Sequence, residues 1–128
     1  MEKVWDPLRK KMVTLTPEER VRQWFITLLH EECSIPLHMM SSEVSLRYGD
    51  KPFRADIVVW DRSLCPAVIV ECKRPQVTLD EEVLSQVLKY NMVMGAPYAV
   101  VTNGHSTHIV HEGGFITQLP NYETICQL

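Results

Sequence analysis

The chain has 128 residues, 45% of them hydrophobic and 23% charged, the balance of one globular domain able to bury a core without disulfides or a structural metal. A formal net charge of -3 excludes the overall basic field of a stand-alone tight DNA binder, but leaves room for a nuclease whose carboxylates are offset locally by a divalent cation. No apolar run reaches the ~20 residues that span a bilayer, and MEKVWDPLRKKM lacks an apolar signal-peptide centre, so the cytoplasm is expected, without a membrane partner.

Residues 1–15 mix charges with isolated apolar positions around Pro7 and read as an irregular arm, packed by Val4, Trp5 and Leu8. Thr16 then offers an N-cap, Pro17 suits the first helical position, and Glu19 stands where a capping box needs it. Val21, Phe25, Leu28 and Leu29 follow at helical spacing with Trp24 beside them, which predicts a helix from about 17 to 32. Ser34-Ile35-Pro36 ends it. Val44, Leu46 and Tyr48 alternate, Gly49 to Pro52 carry turn chemistry, and Phe53 to Trp60 resume as a strand, so a hairpin is expected. Asp61 to Ser63 turn the chain into a third strand over Ala67 to Cys72. Thr78 can cap a second helix in which Leu79, Val83, Val87, Tyr90 and Met94 share a face and Gly95 is a stop. APYAVVTNG is a strand ending in an Asn103-Gly104 turn, Ser106 to His111 another, and FITQLPNYETICQL a short strand with a tail.

The order α, β, β, β, α, β, β predicts an α/β fold with a mixed central sheet flanked by helices. One domain is expected over residues 1–128, with an arm at 1–15 and a tail at 113–128. The cysteines, Cys33, Cys65, Cys72 and Cys126, form neither C-x-x-C pairs nor a zinc-spaced set and are read as reduced thiols. His105, His108 and His111 are read as solvent-facing strand residues, and Trp24, Tyr48 and Trp60 as core or core-edge aromatics. Arg22, Arg54, Arg74 and Lys89 could meet phosphates, but surface solvation is the simpler role for each.

One constellation carries chemistry. In PAVIVECKRP an apolar strand runs into Glu71 and Lys73, whose alternate positions put both side chains on one face. Asp56 lies in FRADIVVW on the neighbouring strand, where a carboxylate among apolar residues needs a partner. A lone Glu-x-Lys is commonly a surface ion pair worth under about 1 kcal/mol. Here an aspartate converges on it, and the next helix carries Gln86 and Tyr90 one turn apart. Two carboxylates with a backbone carbonyl and waters suit a hard divalent cation such as Mg2+. A lysine beside that cation can orient a water for attack on a phosphodiester.

Asp56, Glu71-Cys72-Lys73 and Gln86-x-x-x-Tyr90 together resemble the PD-(D/E)xK nuclease superfamily. TPEERVRQ, RADIVVWD, VIVECKRP, QVLKYN and VVTNG resemble, more narrowly, the N-terminal nuclease domain of type I restriction enzyme R subunits, over roughly residues 14–112. The resemblance implies a restriction-endonuclease-like fold and a Mg2+-dependent DNA endonuclease, with Mn2+ as a substitute. It implies Asp56, Glu71 and the backbone carbonyl of Cys72 as metal ligands, Lys73 as the residue that positions or activates the water, and Gln86 and Tyr90 as lining the site or touching the DNA backbone near it. It also implies a glutamate on the first helix. Glu18 and Glu19 both qualify, and Glu18 is favoured because it falls nearer the apolar stripe. Ala55 stands in place of the superfamily's proline, which is not a ligand. No G-x-x-x-x-G-K-[ST] loop is present for an ATP-driven translocase. DNA is therefore the expected partner, with a separate motor or specificity protein and a homodimer as further options. The alternative is a non-catalytic nucleic-acid-binding or assembly module acting with a partner protein.

Overall fold

The computed structural model describes residues 1–127. The expected irregular arm is instead a hairpin of β1 (Lys3–Asp6) and β2 (Lys11–Thr14), paired antiparallel with Val4 opposite Val13. Asp6 makes the turn possible: its fully buried carboxylate takes the Leu8 N–H at 2.8 Å and an Arg9 side-chain bond. Trp5 is exposed, whereas Leu8 packs against the core.

Helix α1 spans Pro17–Glu32 and begins as its sequence dictates, with Thr16 Oγ1 accepting the Glu19 N–H at 3.1 Å. The reciprocal half of a capping box is not made, because the Glu19 side chain is committed to Arg9 and Gln23. Val21, Phe25, Ile26 and Leu29 enter the core. Trp24, expected there, is 43% exposed because it lies one residue round the helix from the stripe.

A six-stranded sheet follows in chain order: β3 (Met40–Tyr48), β4 (Lys51–Trp60), β5 (Pro66–Cys72), β6 (Tyr98–Thr102), β7 (Thr107–His111) and β8 (Gly114–Ile116). Neighbours are antiparallel except β5 and β6, which are parallel and joined through helix α2 (Glu81–Met94). That crossover makes the sheet mixed, and β6, at its centre, is buried along its whole length. Helix α1 and the short α3 (Tyr122–Ile125) bury Phe25, Leu29 and Ile125 on one face of the sheet, while α2 buries Val87 against Ala55, Val58, Ile69 and Val101 on the other.

Helix α2 starts later than Thr78 suggests. Asp80 is its cap, accepting the Val83 N–H at 3.0 Å, because Asn103 Nδ2 holds the Val77 carbonyl at 2.8 Å and draws that stretch out of the helix. Gly95 closes it in the left-handed region at φ 68°, as expected. Asn103 is itself buried, and its Oδ1 takes the N–H groups of both His105 and Ser106. The tail expected over residues 113–128 contains β8 and α3, and α3 is fastened by Tyr122, which donates its hydroxyl to the Trp60 carbonyl at 2.7 Å. Leu128 lies outside the described residues.

Among the described residues all four cysteines are free, with Cys33 and Cys72 buried. His111 is not solvent-facing as read from the sequence: its ring stacks on Tyr98 at 4.1 Å, with Nδ1 2.9 Å from the Pro97 carbonyl. No described helix is long and apolar enough to cross a membrane.

Candidate active site

The site forms where β4 and β5 part. The two strands pair antiparallel through Ile57 and Val70, and the ladder stops there although the same register would set Asp56 opposite Glu71. The Asp56 carboxylate fills the gap: its Oδ2 accepts the Cys72 backbone N–H at 2.7 Å. Lys73 donates its own N–H to Thr102 on β6 at 2.8 Å. Backbone groups alternate direction along a strand, so both the N–H and the carbonyl of Cys72 face away from β6, towards Asp56. A conventional rung is thus replaced by a carboxylate on an amide, which fixes Asp56 at the sheet's open seam.

Glu71 and Lys73 leave β5 on one face, with Lys73 Nζ 3.9 Å from Glu71 Oε1. Burial pushes the Glu71 carboxyl up to about 9, and Asp56 pushes the same way as a neighbouring charge and as a hydrogen-bond acceptor. Lys73 pulls in the opposite direction without prevailing. Two carboxylates that cannot both ionise comfortably are the electrostatic state that a bound cation relieves. The donor set, two carboxylates with a strand carbonyl turned towards them, fits a hard divalent metal.

Glu18 is exposed, yet it lies in the field of the same group. Its carboxyl is raised, first by desolvation and then by the Asp56 charge, with Arg22 and Lys73 partly offsetting. Among the described residues no three His, Cys, Asp or Glu side chains come together as a metal-holding group. Glu18 therefore neighbours the Asp56–Glu71 pair without completing a ligand cluster. Glu19 points elsewhere, with Oε1 2.6 Å from Arg9 Nη2.

Gln86 and Tyr90 meet each other, Gln86 Nε2 donating to the Tyr90 hydroxyl at 3.0 Å. The Tyr90 ring stacks on Phe53 of β4 at 3.9 Å and 10°, and neither residue hydrogen-bonds to Asp56, Glu71 or Lys73. They line a groove of about 290 Å³ between α2 and the β3–β4 hairpin, together with Tyr48, Lys51 and Lys89. Lys89 lies 4.9 Å over the Tyr48 ring.

Three residues of the site's surroundings went unassigned in the sequence. Arg22, read as a surface residue, is only 6% exposed and donates from Nη2 to Asp56 Oδ1 at 3.0 Å. Glu43, in a left-handed kink of β3 at φ 54°, accepts from Arg9 at 2.7 Å and pairs with Arg54 at 3.1 Å. Arg9 reaches in from the N-terminal hairpin to join Asp6, Glu19 and Glu43. Burial works against the Arg9 charge, but its carboxylate partners outweigh burial and hold it more firmly protonated. The sequence carried one usable signal: Arg22 stands three residues before Phe25 and seven before Leu29, the spacing of the apolar stripe's own face.

A family model described as the N terminus of type I restriction enzyme R proteins matches residues 17–120. No curated protein matches the sequence. Among solved structures, a fragment described as an HsdR subunit of a type I restriction enzyme from Vibrio vulnificus YJ016 superposes with a TM-score of 0.64 at 19% identity, over 87% of this chain and 24% of that one. A protein described as a DUF820 nuclease from Anabaena variabilis ATCC 29413 superposes with a TM-score of 0.56 at 10% identity, over 91% and 86% of the two chains. The mixed sheet flanked by helices is the restriction-endonuclease-like fold. The chain spans about a quarter of the length of the Vibrio protein that it resembles.

Proposed function

The chain belongs to the family of type I restriction enzyme R protein N termini, and from that premise we propose that it is a divalent-metal-dependent DNA endonuclease domain, with Mg2+ as its metal and Mn2+ able to substitute. The observation that carries this reading is the grouping of Asp56, Glu71 and Lys73 at the seam where β4 and β5 separate.

Asp56, Glu71 and the Cys72 carbonyl would hold the cation. When bound, such a cation supplies positive charge to the scissile phosphate and to the attacking water. Lys73 orients that water and balances the negative charge that collects as a phosphodiester bond is hydrolysed. Glu18, in the same field, is suited to hold a water at the outer side of the site. Gln86 and Tyr90 contact the DNA backbone at the entrance, where Lys51 and Lys89 contribute charge. A restriction reaction that needs translocation along DNA would draw on a separate motor or specificity protein.

The test is cleavage of supercoiled plasmid in Mg2+ or Mn2+ by the wild type, Lys73→Ala and Asp56→Ala. Loss of a water-positioning lysine should lower the rate roughly 100-fold or more. Equal nicking by all three proteins would trace the activity to a contaminant and sink the catalytic reading. Salt-dependent DNA binding that survives Lys73→Ala, with no cleavage in either metal, would favour the non-catalytic binding module.

A further inference from the structure

Arg22 occupies an oxygen that a metal ion would need. Asp56 Oδ2 is fixed by the Cys72 N–H, so Oδ1 is the oxygen left for another partner, and Arg22 Nη2 holds it at 3.0 Å. Buried guanidinium–carboxylate pairs are strong when fully hydrogen-bonded, but this one is incomplete. Arg22 Nε is buried without any partner, and Nη1 reaches Ser42 Oγ only at 3.4 Å. Two further carboxylates stand ready nearby, Glu19 Oε1 and Glu43 Oε1, each 3.7 Å from Nη1. Both are held in place by Arg9, at 2.6 and 2.7 Å, so they stay where they are if Arg22 moves. A small displacement would therefore exchange one carboxylate partner for two without taking the guanidinium into solvent.

We propose that Arg22 is a positioning residue that gates the metal position: it holds Asp56 Oδ1 until a divalent cation arrives, then yields that oxygen and closes on Glu19 and Glu43. This rests on the reading of Asp56 and Glu71 as metal ligands. The arrangement keeps Asp56 aimed and neutralised without metal, and it sets the cation's affinity as the difference between two competing partners. The N-terminal hairpin, through Arg9, fixes the side to which Arg22 retreats.

The experiment is titration of the full chain with Mn2+, followed by the electron paramagnetic resonance signal of the free ion, which reads binding independently of cleavage. Wild type is compared with Glu71→Gln, Arg22→Gln, Arg54→Gln and Glu43→Gln. Arg22→Gln should bind Mn2+ about tenfold more tightly, the worth of one hydrogen bond to an ionised group. Arg54→Gln removes a charge from the same cluster without touching Asp56 and should leave affinity within about twofold, since exposed charges are screened. Glu43→Gln weakens the retreat position and should lower Mn2+ affinity several-fold. Should circular dichroism show Arg22→Gln unfolded, Glu43→Gln decides, and unchanged affinity there overturns the gate. Equal tightening in Arg22→Gln and Arg54→Gln reduces the effect to a general field and also overturns it. Unchanged or weaker binding by folded Arg22→Gln refutes the gate alone, provided wild-type binding depends on Glu71. Binding that ignores Glu71→Gln removes the metal-site reading, and the gate with it.

Discussion

The raised Glu71 carboxyl makes stability depend on pH in a calculable direction. An exposed glutamate titrates near 4.5, whereas Glu71 in the folded protein is pushed up to about 9 by burial and then by Asp56. Between those two values the folded state holds a proton that the unfolded state has released. Stability is therefore fully present below about 4.5 and falls as pH rises towards 9, because the native state binds more protons. Each pH unit in that window is worth at most about 1.4 kcal/mol, so the loss by pH 7 has a ceiling of roughly 3–4 kcal/mol. The Glu71 side chain keeps 21% of its surface in water, and that screening brings the expected loss to about 1–2 kcal/mol. Glu71→Gln removes the titrating group and should flatten this part of the curve. The assay is urea denaturation in chelator, followed by tryptophan fluorescence at pH 5, 7 and 8.5. Wild type should lose stability relative to Glu71→Gln as pH rises. Parallel pH profiles for the two proteins would refute the account of a strained carboxylate pair.

Other substitutions test the framework around the site. Arg9→Met strands the fully buried Asp6 and takes from Glu19 its closest charged partner, and should cost about 3–5 kcal/mol in the same denaturation assay. Arg20→Ala, which loses only the exposed pair with Glu2, should cost about 0.5 kcal/mol or less. Phe25→Ala should lose about 3–5 kcal/mol, since Phe25 is 1% exposed beneath the sheet, and should shift the thermal midpoint accordingly. Asn103→Ala removes acceptance of two N–H groups and the clamp on Val77, a loss of about 1–3 kcal/mol, and hydrogen exchange should show the 103–106 turn opening first.

Much of the fold was readable because local rules and tertiary packing agree. Thr16-Pro17 and the stripe through Val21, Phe25 and Leu29 set α1 to Pro17–Glu32 with no help from the rest of the chain. Gly95 ended α2 for the same reason, since a left-handed stop favours glycine wherever it falls. The first hairpin was missed because KVWD and KMVT are too short and too charged for alternation to register, and its turn depends on the buried Asp6–Arg9 contact. At Thr78 two acceptable caps compete, and a side chain from beyond the helix chooses between them.

By itself, the sequence determined the order of helices and strands and the candidacy of Asp56, Glu71 and Lys73, since periodicity states which side chains share a face of one element. Tertiary structure alone decided that β4 and β5 separate at Asp56, that Tyr90 stacks on Phe53, and which carboxylates Arg22 and Arg9 meet. The partners Arg22–Asp56 and Arg9–Glu43 are each 34 residues apart along the chain. No local pattern encodes such pairs. They exist because closing the sheet over α1 removes these charges from water, and a buried charge must find its opposite among whatever the fold brings within reach.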